Sequence, residues 1–144
     1  MYQTNYHRAS SVADAVKLLK KGEDAKALSG GMTLIPTMKQ RLASPSDLID
    51  LTHIAAMKGV KVSGKKVTIG AATTHAEVAG NEKLRGVCPS LADLASHIGD
   101  PHVRHRGTIG GSIANNDPAA DYPSAMLALD ATIVTDKRSI AADK

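Results

Sequence analysis

Two short stretches of this chain carry residue types suited to holding an anionic ligand through the backbone. The first is Ser29-Gly30-Gly31-Met32-Thr33-Leu34-Ile35-Pro36. Paired glycines tolerate positive φ and let a ligand approach the main chain closely. Successive N–H groups in such a turn form an anion nest, and a helix starting just after it adds a positive dipole. Ser29 and Thr33 add hydroxyl donors. The second stretch is Gly107-Thr108-Ile109-Gly110-Gly111-Ser112-Ile113-Ala114-Asn115-Asn116-Asp117-Pro118, with Asp121 three residues further on. It repeats the pattern of a glycine pair flanked by hydroxyls, and Asn115, Asn116 and Asp117 add side-chain donors and acceptors. A single Gly-Gly is more often a plain tight turn, and Asn and Asp are ordinary turn residues. Two such loops in one short chain point instead to the two phosphates of one dinucleotide, cradled from opposite lobes. Neither loop fits Gly-x-Gly-x-x-Gly or the phosphate loop ending in Gly-Lys-Ser/Thr, which disfavours a Rossmann or NTPase site.

Other chemistry is poorly supported. His97, His102 and His105 lie close in sequence, but Pro101 and Gly107 mark the region as loop and no partner ligands accompany them, so no metal site is expected. Arg104, His105 and Arg106 precede the second loop and would raise the local potential for a pyrophosphate. Cys88, the single cysteine, has no identifiable base and reads as a small hydrophobe. No Ser-His-Asp set or carboxylate pair stands out, so no catalytic residue is assigned. Any chemistry would reside in a bound cofactor.

The elements that must position these loops follow from spacing. Ser11 with Asp14 resembles a capping box, and Val12, Ala15, Val16 and Leu19 recur at helical spacing up to Gly22. A strand over about 25–28, a helix over about 34–42 opening near Pro36, and a strand over 47–51 make a βαβ unit with parallel pairing. Val60 to Ala71 alternates around Ser63-Gly64-Lys65-Lys66 and predicts a hairpin. Helices are expected over about 74–80, 91–98 and 122–129, with 107–118 as a long glycine-rich loop. A strand over 132–135 lacks a full hairpin partner, since only Ile140 to Ala142 is available. The fold class is therefore α+β. A small parallel lobe at 1–55 precedes a mixed α/β lobe at 56–144 whose sheet looks incomplete.

Composition closes off further classes. The chain has 144 residues, 42% hydrophobic and 22% charged, no Trp or Phe, and three tyrosines, Tyr2, Tyr6 and Tyr122. A core without aromatic anchors buries less area per side chain, so modest stability is expected unless a ligand or partner contributes. One cysteine forms no internal disulfide, which is compatible with a reducing cytoplasm. No apolar run reaches the ~20 residues of a membrane span, and residues 1–5 lack the pattern of a signal peptide. The net charge of +4 suits an anionic ligand. Nucleic acid is disfavoured because the lysines are dispersed and stacking platforms are few.

The residues also carry a family resemblance. Leu28 to Lys39, followed by Arg41-Leu42-Ala43, resembles the first FAD loop of the flavoprotein (medium) subunits of aerobic carbon monoxide dehydrogenase and xanthine dehydrogenase, the molybdenum hydroxylases. Thr108 to Pro123 is similar to the second loop. Ile69 to His75 and Asp100 to Arg104 resemble intermediate stretches. The resemblance implies a two-lobed FAD-binding domain of the vanillyl-alcohol oxidase type, with non-covalent FAD between the lobes. Ser29, Gly30, Gly31, Met32 and Thr33 would hold the pyrophosphate through N–H groups, with Leu34 and Ile35 continuing the loop. Thr108, Ile109, Gly110, Gly111 and Ser112 would embrace it from the second lobe. Asp121 matches a carboxylate near the adenosine, and Asn115 and Asp117 are further candidates. Departures are mild: Ser29 stands where Ala is common, Met32 where a polar residue is, and Ser112 where Asn is.

By the same resemblance, the partners are a molybdenum-containing large subunit and a small subunit with two [2Fe–2S] clusters. Electrons would pass from the clusters through FAD to a quinone, NAD or oxygen, in a cytoplasmic complex, peripheral at the inner membrane face at most. Family members run about twice as far. A fragment or truncated product is thus expected, one that binds FAD weakly or acts only as a structural and interaction module of the complex.

Overall fold

A computed structural model describes residues 1–144. The elements run β1 (Asn5–Arg8), α1 (Val12–Lys21), β2 (Ala25–Leu28), α2 (Leu34–Lys39), β3 (Asp47–Asp50), β4 (Val60–Ser63), β5 (Lys66–Ile69), α3 (His75–Ala79), α4 (Glu82–Val87), α5 (Pro89–His97), α6 (Pro101–Arg106), α7 (Ile109–Asn115), α8 (Asp121–Ala128), β6 (Thr132–Val134) and β7 (Ser139–Ala141). The protein is α+β, with a small parallel sheet followed by two hairpins and six helices.

The parallel sheet has order β1-β3-β2, with Asn5 and Ala25 both facing Asp47 in register. The predicted β2–α2–β3 unit is present. β1 is not anticipated by the sequence, because Asn5-Tyr6-His7-Arg8 has no apolar alternation. Side-chain hydrogen bonds tie it to the central strand instead. His7 Nε2 lies 2.7 Å from Asp47 Oδ1, and Tyr6 donates a short hydrogen bond to Asp50 Oδ2. Helix α1 starts where expected: Ser11 Oγ accepts from Asp14 N at 3.1 Å. The Asp14 carboxylate reaches back to Ser10 N rather than to Ser11 N. Its apolar stripe buries Ala15 with Ala9, Ile49 and Ile54 in one small core.

A second, larger core gathers Val78, Leu84, Leu91, Ala92, Ala95, Ile109, Tyr122, Ala125 and Met126. It lies among α3, α4, α5, α7 and α8. The β4–β5 hairpin forms in the expected register, with Val62 opposite Val67. α4 is an additional helix, capped by Asn81, whose Oδ1 accepts from Leu84 N at 2.9 Å.

Three expectations are corrected. Residues 101–106 are not loop but α6, because Asp100 caps its first turn (His102 N to Asp100 Oδ1, 2.6 Å) and Pro101 occupies the first helical position, where its missing N–H costs nothing. Much of 107–118 is likewise helical rather than loop. Thr108 caps α7, and the helix stops at Asn116 in the left-handed conformation with φ 47°. Finally, β6 has its partner: three residues, Ser139 to Ala141, suffice to pair with it. No helix is long and apolar enough to cross a membrane.

Asp47 and Asp50 set the acid stability of the sheet. Hydrogen bonds from Ser46 and His7 hold the Asp47 carboxyl below its ordinary value of 3.8. Burial pushes Asp50 up, but hydrogen bonds from Tyr6 and Thr52 and the nearby His53 outweigh it, and its net shift is also downward. A carboxylate with a depressed folded-state pKa stabilises the fold above its unfolded value, and the contribution is lost as pH falls through the folded value. Thermal unfolding followed from about pH 5 to about pH 2 should therefore show a steep fall in Tm. Asp50→Asn should lower Tm at neutral pH and flatten that fall. Parallel curves for the two proteins would remove Asp50 from this role.

Candidate functional site

The first glycine loop joins β2 to α2 and is held open as a nest. The backbone N–H groups of Ser29, Gly30, Gly31, Met32, Thr33 and Leu34 have no hydrogen-bond acceptor in the protein, while Ile35 N returns to Gly31 O at 3.0 Å. Gly31 sits at φ +72°, where an L side chain is strained. A run of N–H groups left without partners at a strand–helix turn is the kind of arrangement that nests anions. Ile35 plays a supporting part. Its side chain packs beneath Gly31, where an added Cβ would come within 2.9 Å of Ile35 Cγ1.

The second loop is built on the opposite principle. Its N–H groups are already engaged: Ile109 to Thr73 O at 3.1 Å, Gly110 to Ala71 O at 2.9 Å, Gly111 to Thr108 Oγ1 at 3.2 Å, and Ser112 to Thr108 O at 3.0 Å. This segment offers side chains and contact surface, not a nest. Ile109 is buried in the larger core. Gly110 is required by packing, since a Cβ there would overlap the Ala71 side chain and lie 2.6 Å from the Ala71 carbonyl oxygen.

The two loops meet. Thr108 Oγ1 donates to Ser29 Oγ at 3.1 Å. A Cβ on Gly30 would collide with the Arg106 carbonyl oxygen and lie 2.6 Å from Gly107 Cα. Between them opens a cleft of about 690 Å³, within the size range of ligand pockets. Ser29, Gly30, Gly31, Met32, Thr33, Leu34, Thr108, Gly110, Gly111, Ser112, Asn115, Asp117 and Asp121 all line it, whereas Ile35 and Ile109 lie behind the lining.

Several lining residues were not singled out from sequence. Lys26 is among them and pairs with Asp24 at 2.9 Å. His75 and Tyr122 also line the cleft, with ring centroids 5.3 Å apart. Burial pulls the His75 imidazole below its ordinary value, partly opposed by the Asp121 carboxylate. Burial and Asp121 both push the Tyr122 phenol up. Both side chains are thus uncharged at neutral pH. His75 belonged to a stretch noted for its likeness, and Tyr122 is one of three aromatics; those were the available signals. Arg104 is not free to face an anion, since its Nη1 donates to the carbonyls of Ile98 and Gly99 at 2.7 and 2.8 Å.

The loop after β2, with its unpartnered N–H groups, thus faces the start of α7 across the cleft. Residues 2–143 match the family described as the FAD binding domain in molybdopterin dehydrogenase, and the chain belongs to that family. It is similar to the medium chain of carbon monoxide dehydrogenase from Afipia carboxidovorans, at 47% identity over 128 residues covering 88% of this chain and 44% of the relative. Among solved structures it resembles carbon monoxide dehydrogenase from Hydrogenophaga pseudoflava, with TM-score 0.94 and 41% identity over 99% of this chain and 51% of that one. Quinoline 2-oxidoreductase from Pseudomonas putida 86 follows at TM-score 0.93 and 30% identity over 98% and 51%. The chain spans about half the length of the relatives it matches.

The tight glycine contacts predict a folding defect that is independent of any ligand. Gly30→Ala and Gly110→Ala should each lower unfolding stability by about 1–3 kcal/mol, the ordinary cost of overpacking, in urea titrations without added ligand. Thr108→Val removes the α7 cap and the bond to Ser29, and should cost about 1–2 kcal/mol. Wild-type stability in the alanine variants would contradict the close approach of the two loops.

Proposed function

We propose that this chain is the FAD-holding part of a molybdenum-hydroxylase medium subunit of the carbon monoxide dehydrogenase kind. The observation that carries this reading is the row of unpartnered N–H groups from Ser29 to Leu34, facing a cleft closed on its far side by Thr108 to Ser112. These residues suit FAD: a nest for the diphosphate, hydroxyls on Ser29, Thr33 and Ser112, and the carboxylates of Asp117 and Asp121 for its hydroxyl groups. The net charge of +4 favours approach of the anion. Residues 1–55 and 56–144 act as the two lobes.

When bound, FAD supplies the exchange between one-electron and two-electron carriers. The protein's own task is binding and orientation. The nest fixes the diphosphate, and the Ser29–Thr108 bond holds the lobes at the spacing the ligand needs. In the full assembly the partners would be a molybdenum-containing large subunit and a [2Fe–2S] small subunit, acting in the cytoplasm and delivering electrons through FAD to an external acceptor. A second reading, a structural or interaction module of such a complex, is suggested by the exposed Leu127, Leu129 and Val134. On that reading the chain keeps the fold and partner surface but does not retain FAD.

One titration tests both. FAD fluorescence should quench on addition of the protein, and ADP, which shares the diphosphate, should compete while riboflavin should not. Gly31→Val, which forces a β-branched side chain into φ +72°, should weaken FAD binding at least tenfold. Failure of the folded wild-type chain to quench FAD at any concentration would leave only the structural-module reading.

A further inference from the structure

Most lysines of this chain are dispersed, but four are not. Lys58, Lys61, Lys65 and Lys66 belong to the β4–β5 hairpin and the approach to it. From residue 51 to residue 76 the chain has no aspartate or glutamate. The whole chain has 18 lysines and arginines against 14 aspartates and glutamates, and setting these four lysines aside leaves 14 of each. The entire formal excess of +4 thus resides on one hairpin. All four lysines are exposed. None is ion-paired: the lysine pairs lie elsewhere, Lys26 with Asp24 and Lys144 with Asp143.

The hairpin presents these charges on a fixed face. Its inner side, Val60, Val67 and Ile69, packs against the larger core. Strand alternation then turns Lys61, Ser63, Lys66 and Thr68 outward together, with Lys61 opposite Thr68 and Ser63 opposite Lys66. The base of the hairpin is tied down. Gly59 N donates to Thr73 Oγ1 at 2.8 Å, Gly70 N to Gly59 O at 2.9 Å, and Ala72 N to Met57 O at 2.8 Å. Met57 and Ala71 at that base line the cleft, whereas no residue from 58 to 70 does. The lysines therefore stand beside the ligand site and are not part of it. Lysine also guards open sheet edges against stray pairing. Edge protection is served by either sign of charge and does not call for 26 successive positions without a carboxylate.

We propose that the outer face of the β4–β5 hairpin docks a protein partner through a carboxylate-rich surface of that partner. The composition of the face selects this occupant. Surface helices and segments that settle on lipid pair their cations with apolar side chains that enter the headgroup layer. None of the exposed large hydrophobic residues lies between Lys58 and Ile69. Nucleic-acid surfaces favour arginine and stacking rings, and the hairpin has neither. Lysine is a compact, hydrated point charge, suited to steering an oppositely charged protein and to contacts that form and release. Ser63 and Thr68 lie between the lysines and add hydroxyl donors for carboxylate oxygens. This inference concerns a surface outside the cleft and does not rest on the FAD reading.

The test uses the 144-residue chain without flavin. Labelled poly-L-glutamate is the carboxylate probe, and phosphatidylglycerol vesicles and duplex DNA are the comparison anions. One variant combines Lys58→Gln, Lys61→Gln, Lys65→Gln and Lys66→Gln. A second removes the same charge elsewhere, through Lys17→Gln, Lys20→Gln, Lys39→Gln and Lys137→Gln, all at exposed positions. Wild type should bind poly-L-glutamate at about 50 mM salt and release it by about 300 mM, because salt screens exposed charges. The hairpin variant should bind at least about tenfold more weakly, while the dispersed variant stays within about twofold of wild type. The milder pair Lys65→Gln with Lys66→Gln should give an intermediate loss, and it reads the same patch if the fourfold hairpin variant does not fold. Equal losses in the two fourfold variants overturn the proposal, since net charge alone would then account for binding. So does an absence of poly-L-glutamate binding by wild type at low salt. Tighter, hairpin-dependent binding of the vesicles or the DNA than of poly-L-glutamate also overturns it and assigns the face to lipid or nucleic acid. None of these outcomes alters the reading of the cleft.

Discussion

Everything at this site depends on two places where backbone meets backbone with no side chain between. Gly30 rests on Arg106 and Gly107, and Gly110 rests on Ala71. At such distances even a methyl group has no room, so these glycines are chosen for contact rather than for unusual dihedrals. Only Gly31, at φ +72°, uses the conformational freedom that paired glycines suggest. The Thr108–Ser29 hydrogen bond then spans 79 positions of sequence and fixes the loops across the cleft. Remove the close approach and the nest loses its opposite wall.

The two loops look alike in sequence and do different physical work. Both have paired glycines flanked by hydroxyl residues, which suggests two equivalent phosphate cradles. The hydrogen bonds divide the labour instead. Ser29 to Leu34 keep their N–H groups free because the strand has ended and the helix has not yet begun to return bonds. Ile109 to Ser112 are inside a helix start whose donors are taken by Thr73, Ala71 and Thr108. Of the two, the first loop alone keeps a run of unpartnered N–H groups, and the facing segment contributes surface, hydroxyls and carboxylates.

The sparing use of aromatics has a structural counterpart. Only 23 of 144 residues are buried, and the larger core is built on alanine and aliphatic side chains around one tyrosine. A fold with so little buried area per residue draws proportionally more stability from whatever binds it. Exposed Leu127, Leu129 and Val134 on α8 and around β6 fit the same picture of a module with surface left over.

Local sequence determined much of this architecture. The α1 periodicity, the β2–α2–β3 unit, the β4–β5 alternation and the first glycine loop are short-range patterns, and each formed within a residue or a few of where it was expected. The likeness of the loops to a flavin-binding family was also legible, because it resides in contiguous residues. What only the tertiary structure decided is whatever depends on partners distant in the chain. β1 has no apolar alternation and is a strand because Asp47 and Asp50 bind its side chains. Residues 101–106 read as loop because of Pro101, yet a capping Asp100 turned the same proline into a helix start. Which glycine N–H groups are free, and that His75 and Tyr122 share a wall of the cleft, follow from hydrogen bonds and packing between elements tens of residues apart. Such pairings leave no periodic trace in a single sequence, since they are set by the closing of one lobe upon the other.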